Sequence, residues 1–314
     1  MRVILFDVGH GFCAFLKSST GYTLLIDCGC SEDFSPIKYI RESELGGVEP
    51  INGHYLTELI ITHPHDDHIK DINRVISELP PYLLLRNTFD WKDVKTPGCA
   101  ESEYESLNAY VPWQGKYYAP QTVFPDWGQM KIQHFKVPQI LVPGANNSKA
   151  VNNSSFAVLV TFAGTIYTQK LLFGGDMESS GWEALLNQNG AFREAVKGTT
   201  LYFASHHGHS SGFSSALFKA MGTKPHLNII SVTEGDDCVD GNYSNNSLGV
   251  LFGTEQRFTL TTRTHGSIFL DTDSTGYTNV TTNHLADNLE TIPDFTMEFF
   301  KTLGLSPTYS KIKP

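Results

Sequence analysis

The sequence predicts an α/β protein built as an αββα sandwich, two mixed β-sheets with helices on their outer faces, in one domain. Three observations lead there. Short apolar, β-branched runs recur along most of the chain, and one segment changes to helical spacing. Polar residues with metal-binding chemistry follow three of the strand-like runs.

The elements follow in order. Residues 3–6, 13–16 and 22–27 read as strands separated by Gly9-His10-Gly11 and by a turn at 18–21, an antiparallel opening to a sheet. Residues 36–45 suit a short helix, and 56–62 form an apolar run of the kind that makes a buried strand. From 69 to 79, Ile69, Ile72, Val75, Ile76 and Leu79 recur at helical spacing until Pro80-Pro81 stops them. Residues 86–135 turn rich in aromatics and prolines with little periodicity, and read as an insertion or flap lying on the domain. Strands are expected again at 156–162, 171–173, 201–204, 227–232 and 258–262, with a helix at 181–186. A C-terminal helix and tail are expected over 285–314.

Composition limits the function. With 314 residues and 40% hydrophobic content the chain can bury a real core, which excludes a disordered or fibrous protein. No apolar run approaches the ~20 residues that span a bilayer. Asp7 interrupts the N-terminal stretch where a signal peptide would stay apolar, so a cytoplasmic location and no membrane partner are expected. Five scattered cysteines do not make a disulfide framework, and Cys28-Gly29-Cys30 lacks the spacing of a zinc knuckle. A net charge of −10 opposes non-specific binding to nucleic acid, so an anionic substrate would need bound cations to attract it.

The chemistry concentrates in His63-Pro64-His65-Asp66-Asp67-His68, just beyond the 56–62 strand. Alternate residues of an extended loop project the same way, so His63 and His65 can share one cation while Asp67 and His68 turn to a second. Imidazole and carboxylate suit zinc, manganese or iron(II). Two such ions ~3.5–4 Å apart can bridge a hydroxide, acidified near neutral pH. Few structural accidents put three histidines and two aspartates in six residues.

His-x-His-x-Asp-His after an apolar strand resembles the signature of the metallo-β-lactamase superfamily, and Leu25-Ile26-Asp27-Cys28-Gly29 resembles the Asp-Gly turn that precedes it there. Further pieces, in order, are similar to the hydrolase domain of ComEC-type competence proteins and its stand-alone relatives. They are Phe6-Asp7-Val8-Gly9-His10-Gly11, Asn152-Asn153-Ser154-Ser155, Phe173-Gly174-Gly175-Asp176 and Ser205-His206-His207-Gly208-His209-Ser210. The resemblance covers about residues 1–275 and implies the metallo-β-lactamase fold with two divalent metal ions, zinc or manganese. It implies His63, His65, Asp67, His68, Asp176 and His207 as ligands, with Asp176 bridging. One histidine of the 206–207 pair completes the second site, and His207 is favoured because it precedes glycine. His206 or His209 would then face the substrate as a proton donor, beside Asp67. Asp27 is expected to fix the tautomer of a ligand histidine.

The chain departs from the wider superfamily where a third histidine of the first site is usual; it has Asn152, Asn153 and Ser155 there, and His134 is an alternative ligand. Gly9-His10-Gly11-Phe12 and Tyr243-Ser244-Asn245-Asn246 also depart from the ComEC-type pattern, which puts DNA in doubt as the substrate. The expected function is a metal-dependent hydrolase, a phosphodiesterase or nuclease acting on nucleic acid or nucleotide through a metal-bridged hydroxide. The alternatives are a lactonase or amidase, and a non-catalytic metal-binding module. Trp91 and Trp113 could give bases a stacking platform.

Overall fold

Strand β1 (Arg2–Leu5) buries residues on both faces: Val3 and Leu5 enter a central core, and Ile4 an outer one. The same division runs through β7 (Ala157–Ala163) and β8 (Thr168–Phe173), where Val158, Val160, Leu171 and Phe173 face the centre while Leu159 and Leu172 face outward. Strands buried on both faces are apolar without alternation, which is why these runs look continuous in the sequence. The computed structural model describes residues 1–50, 53–87, 104–119, 124–138, 142, 148–236, 238–252 and 255–283.

The first sheet has the order β15-β14-β1-β2-β3-β4-β5, where β2 is Ala14–Lys17, β3 Thr23–Ile26, β4 Leu56–Ile60, β5 Pro81–Leu85, β14 Ile268–Thr272 and β15 Thr278–Thr282. The second has the order β13-β10-β9-β8-β7-β6, with β6 Met130–Phe135, β9 Leu201–Phe203, β10 Leu227–Ile230 and β13 Thr259–Thr261. A separate hairpin joins β11 (Val250–Phe252) to β12 (Glu255–Arg257). Helices Pro36–Tyr39, Ile72–Glu78 and Glu105–Gln114 cover the outer face of the first sheet through Ile37, Ile72, Val75, Leu107 and Tyr110. Ser179–Gln188, Gly190–Ala195 and Ser215–Met221 cover the second through Trp182, Leu185, Phe192 and Leu217. The expected αββα sandwich of mixed sheets is the observed architecture.

Some expectations change. The helix expected over 69–79 is two pieces, Asp66–Ile69 and Ile72–Glu78. The break follows from the turn after β3, where Cys28 N donates to His68 O at 2.8 Å and accepts at its carbonyl from Asp71 N at 2.8 Å, pulling the chain out of helical register. Residues 36–45 form a short α-helix that widens into a π-helical turn, Ile40–Glu44. The 86–135 segment does not lie wholly outside the sandwich, because Met130–Phe135 pairs antiparallel with β7 along its full length. Trp113 is 6% exposed, packed beside Tyr110 and Tyr117, and so is closed to base stacking. Trp91 and the 285–314 tail lie outside the described residues. Among the described residues no helix is long and apolar enough to cross a membrane.

In the parallel runs β3-β4-β5 and β8-β9-β10, the strands' carboxyl ends lie along one edge of each sheet. That edge is where open α/β sheets gather ligand-binding loops. Asp27, His63, Asp176, His206 and Ser231 each follow such a strand end.

Candidate metal centre

The turn after β3 places Asp27 in the left-handed region, φ +57, with its carboxylate fully buried. Backbone strain of this kind persists only where surrounding bonds dictate it. Here the N–H of Thr62 donates to Asp27 Oδ1 at 2.7 Å, and the Thr62 hydroxyl donates to Oδ2 at 2.6 Å. Thr62 also joins the two sheets, since its carbonyl accepts from Phe156 N at 3.2 Å and from the Asn87 amide at 3.1 Å.

These bonds decide which imidazole nitrogens carry protons. The single hydroxyl proton of Thr62 goes to Asp27, so Nδ1 of His63, 3.2 Å from that hydroxyl, is the donor to it. Nδ1 of His68 donates to Asp27 Oδ2 at 2.7 Å, and Nδ1 of His207 to the Ser231 carbonyl at 3.1 Å. In its neutral form each ring therefore turns an Nε2 lone pair inward. His68 Nε2 lies 3.1 Å from Asp176 Oδ1 and 3.7 Å from Asp67 Oδ2, and His207 Nε2 lies 3.1 Å from Asp67 Oδ2. His63 Nε2 lies 3.6 Å from Asp176 Oδ2 and 3.1 Å from His65 Nδ1.

At this range the lone pairs of a neutral ring and a carboxylate repel unless a proton or a cation lies between them, and a proton on His207 Nε2 makes its contact with Asp67 a hydrogen bond. His68 Nε2 is buried with no hydrogen-bond partner, a costly arrangement for a polar atom. A tetrahedral ion with bonds of ~2.0–2.2 Å has ligand-to-ligand edges of roughly 3.3–3.6 Å, close to these separations. The donors fall into two groups whose ligand atoms lie within 4.8 Å of one another: Asp67, His68, Asp176 and His207, and His63, His65 and Asp176. The donors of each group fit a divalent cation, and Asp176 is common to both groups.

The electrostatics agree. Without a cation, burial opposes charge on His68, but Asp176, Asp67 and Asp27 together outweigh it and hold the imidazole well above its ordinary pKa. His207 is raised in the same way, against burial, by Asp176 and Asp67. Burial drives His63 well below its ordinary value, and lowers His65. The Asp176 carboxyl sits well below its usual range because His68, His207 and His63 together overcome its burial.

Asp176 is positioned by the turn after β8. Gly175 there has φ +52, and a Cβ on it would meet Thr62 side-chain atoms at 2.9 Å, so only glycine lets the two sheets approach so closely. Asp176 N donates to the Ser155 hydroxyl at 3.2 Å. Asn153 accepts from Glu178 N at 3.1 Å and donates to Ser180 at 3.2 Å, so its amide serves the start of helix Ser179–Gln188. Asn152 keeps a buried amide oxygen with no hydrogen bond. His134 is an exposed residue of β6, edge-on to Phe156 and outside both ligand groups.

After β9, His206 and His207 both take φ +51. With Asp27 they are the non-glycine residues of positive φ among the described residues, and all three belong to this site. His207 is buried and belongs to a ligand group; His206 is half-buried and outside both. Nδ1 of His206 lies 2.7 Å from the Ser211 hydroxyl, which lies 2.9 Å from Nδ1 of exposed His209. His206 is also close enough to bear on the charge of His65. Thr62, Ser211 and Ser231 were not foreseen from sequence; serine and threonine are common in loops, and nothing local marks those that hold an imidazole. Cys28 is buried, Cys30 partly exposed, and neither belongs to a ligand group among the described residues.

Residues 6–85 match the metallo-beta-lactamase superfamily model, a span that includes β2 to β5 and the His63–His68 cluster. No curated protein matches the chain. Among solved structures, the chain is similar to an archaeal metallo-beta-lactamase superfamily protein from Sulfolobus tokodaii, at 16% identity and a TM-score of 0.30 over 55% of this chain; it spans 62% of that protein's length. It is also similar to a metallo hydrolase from Ignicoccus hospitalis, at 12% identity and 0.38 over 73% of this chain and 82% of that one. Yeast PDE1 matches at 13% identity and 0.35, over 74% of this chain and 87% of that one. With a match to that superfamily's model over residues 6–85 and helices outside two mixed sheets, the architecture is that of the metallo-β-lactamase fold.

Proposed function

We propose that the chain is a metal-dependent hydrolase that cleaves phosphodiesters in a nucleic acid or nucleotide. One observation carries the metal dependence: three imidazoles, each oriented by a hydrogen bond at Nδ1, converge their Nε2 atoms on the carboxylates of Asp67 and Asp176. Two divalent cations, zinc or manganese, held by His63, His65 and Asp176 and by Asp67, His68, Asp176 and His207, would supply Lewis acidity and an acidified water.

The chain's own groups supply the rest. Asp176, shared by both ligand groups, holds them side by side. Asp67 lies at the more open edge of its group, with a side chain 24% exposed against 0–6% for His68, His207 and Asp176. Substrate would arrive from that edge. His206 has Nδ1 tied to Ser211, which leaves Nε2 to hold a proton for the leaving oxygen. An anionic substrate suits such a site, because the cations would create a local positive field on a chain of net charge −10. Phosphorus rather than carbon as the attacked atom is supported by the ComEC-type motifs.

Purified protein offered bis-p-nitrophenyl phosphate, and in parallel a chromogenic lactam and lactone, with Mn²⁺ or Zn²⁺ added, tests the reading. Release of nitrophenol that a chelator abolishes is the expected result. A silent diester beside an opened lactam or lactone overturns it in favour of carbonyl chemistry. Less than about one cation per chain after metal loading overturns the metal dependence.

A further inference from the structure

His10 stands at the mouth of the second ligand group without belonging to it. Its ring centroid lies 4.5 Å from that of His207, with the planes 39° apart, and its Nε2 lies 3.8 Å from Asp67 Oδ2. Its side chain is 56% exposed, whereas those of Asp67, His68, Asp176 and His207 range from 0 to 24%.

The loop that carries His10 is fastened on each side. Gly11 has φ +151, and a Cβ there would stand 2.5 Å from the carbonyl oxygen of Asp67, so the loop lies flat against the metal-ligand segment. Phe12 N donates to that same carbonyl at 3.2 Å. On the other side the Ser231 hydroxyl donates to Gly11 O at 2.6 Å, while the Ser231 carbonyl accepts from His207 Nδ1 at 3.1 Å. One residue thus fixes both the ligand imidazole and the loop beside it. An exposed imidazole carried on a backbone held this firmly, over an edge where cations would attract an anion, is placed to meet what arrives.

We infer that His10 is a substrate-binding residue, donating a hydrogen bond to a phosphoryl oxygen at the Asp67–His207 end of the site. The inference rests on the phosphodiesterase reading and adds a specificity element to it. A phosphoryl group has oxygens enough to engage the cation side and His10 together, and His206 stands apart from this contact, its ring centroid 6.4 Å from that of His207.

The test uses full-length protein loaded with zinc and compares wild type with His10→Ala and His10→Gln. Calorimetric binding of inorganic phosphate is measured without turnover, beside cation content and the kcat and KM for bis-p-nitrophenyl phosphate. His10→Ala is expected to weaken phosphate binding and raise KM about tenfold, the size of one hydrogen bond to a charged group, with cation content and melting temperature unchanged. His10→Gln, which keeps an N–H donor, recovers part of the loss. Phosphate affinity unchanged in His10→Ala, or no phosphate binding by wild type, overturns the inference. Loss of a cation in His10→Ala overturns it too, by making His10 a ligand. A wild type that binds phosphate in a His10-dependent way but cleaves no diester counts against the proposed reaction and supports the His10 contact, so the two failures separate.

Discussion

Nδ1 of His68 lies 2.7 Å from Oδ2 of Asp27, and both side chains are shut away from solvent. Asp27 also receives both donors of Thr62, whose hydroxyl meets Nδ1 of His63, so one carboxylate governs the orientation of two imidazoles. Partners of this kind are worth about 10–100-fold in metal affinity when removed. Asp27→Ala should weaken cation binding by that factor in a competition titration with a chromophoric chelator. Affinity within twofold of wild type would contradict the role.

Cation binding should release protons. In the metal-free protein the carboxylates of Asp67 and Asp176 hold His68 and His207 above their ordinary pKa against the effect of burial, so a cation must displace protons from them. Affinity should therefore rise with pH until those imidazoles are bare. Calorimetry at neutral pH in buffers of different ionisation enthalpy should show net release. The metal-free protein has the complementary profile: a raised imidazole pKa adds stability that is complete below the unfolded value of ~6.5 and fades as pH climbs through the folded one. Melting temperature without metal should fall as pH rises past neutrality, and metal should abolish that fall.

Because Asp176 belongs to both ligand groups, Asp176→Ala should lose both cations, whereas His65→Ala should lose one. Elemental analysis after dialysis distinguishes them. Equal losses would mean that Asp176 is not shared.

The Ser211 hydroxyl lies 2.7 Å from Nδ1 of His206. Ser211→Ala frees that ring to rotate and should lower kcat about tenfold, less than the ~10²–10⁴ carried by a general acid itself. Ser211→Thr should retain most activity, and cation content should not change in either variant.

Gly175→Ala places a Cβ 2.9 Å from Thr62 at φ +52, and should destabilise the protein by about 1–3 kcal/mol in urea titrations. Alanine tolerated without loss would mean that the sheets can separate there.

The candidate ligand run at 63–68 stands out in the sequence because so many imidazoles and carboxylates in so few residues have little other use. The strands 56–62, 156–162, 171–173, 201–204, 227–232 and 258–262 were legible within a few residues at their ends, since strands covered on both faces are continuously apolar. Pro81 is ambiguous in the sequence: it suits a helix stop, yet it also opens β5, an edge strand, where a missing N–H costs no ladder bond. The strand β15 looks like a loop because it is rich in Thr and Asn, and β14 is hard to see because its apolar run, Ile268-Phe269-Leu270, is only three residues long. The break at Asp71 could not be seen, because its cause is a pair of bonds to Cys28, more than forty residues earlier. Thr62, Ser211 and Ser231 stayed hidden for the same reason, as their importance lies in which ring each one meets.

His63, His65, Asp67 and His68 hang from the first sheet, while Asp176 and His207 hang from the second. An ion held by both sets is a rivet through the seam of the sandwich, so the free energy of its binding doubles as cohesion between the two halves. Stripping the ion should thus be felt as a loosening of the whole joint, with amide exchange quickening first at the Thr62–Phe156 contact and around Gly175.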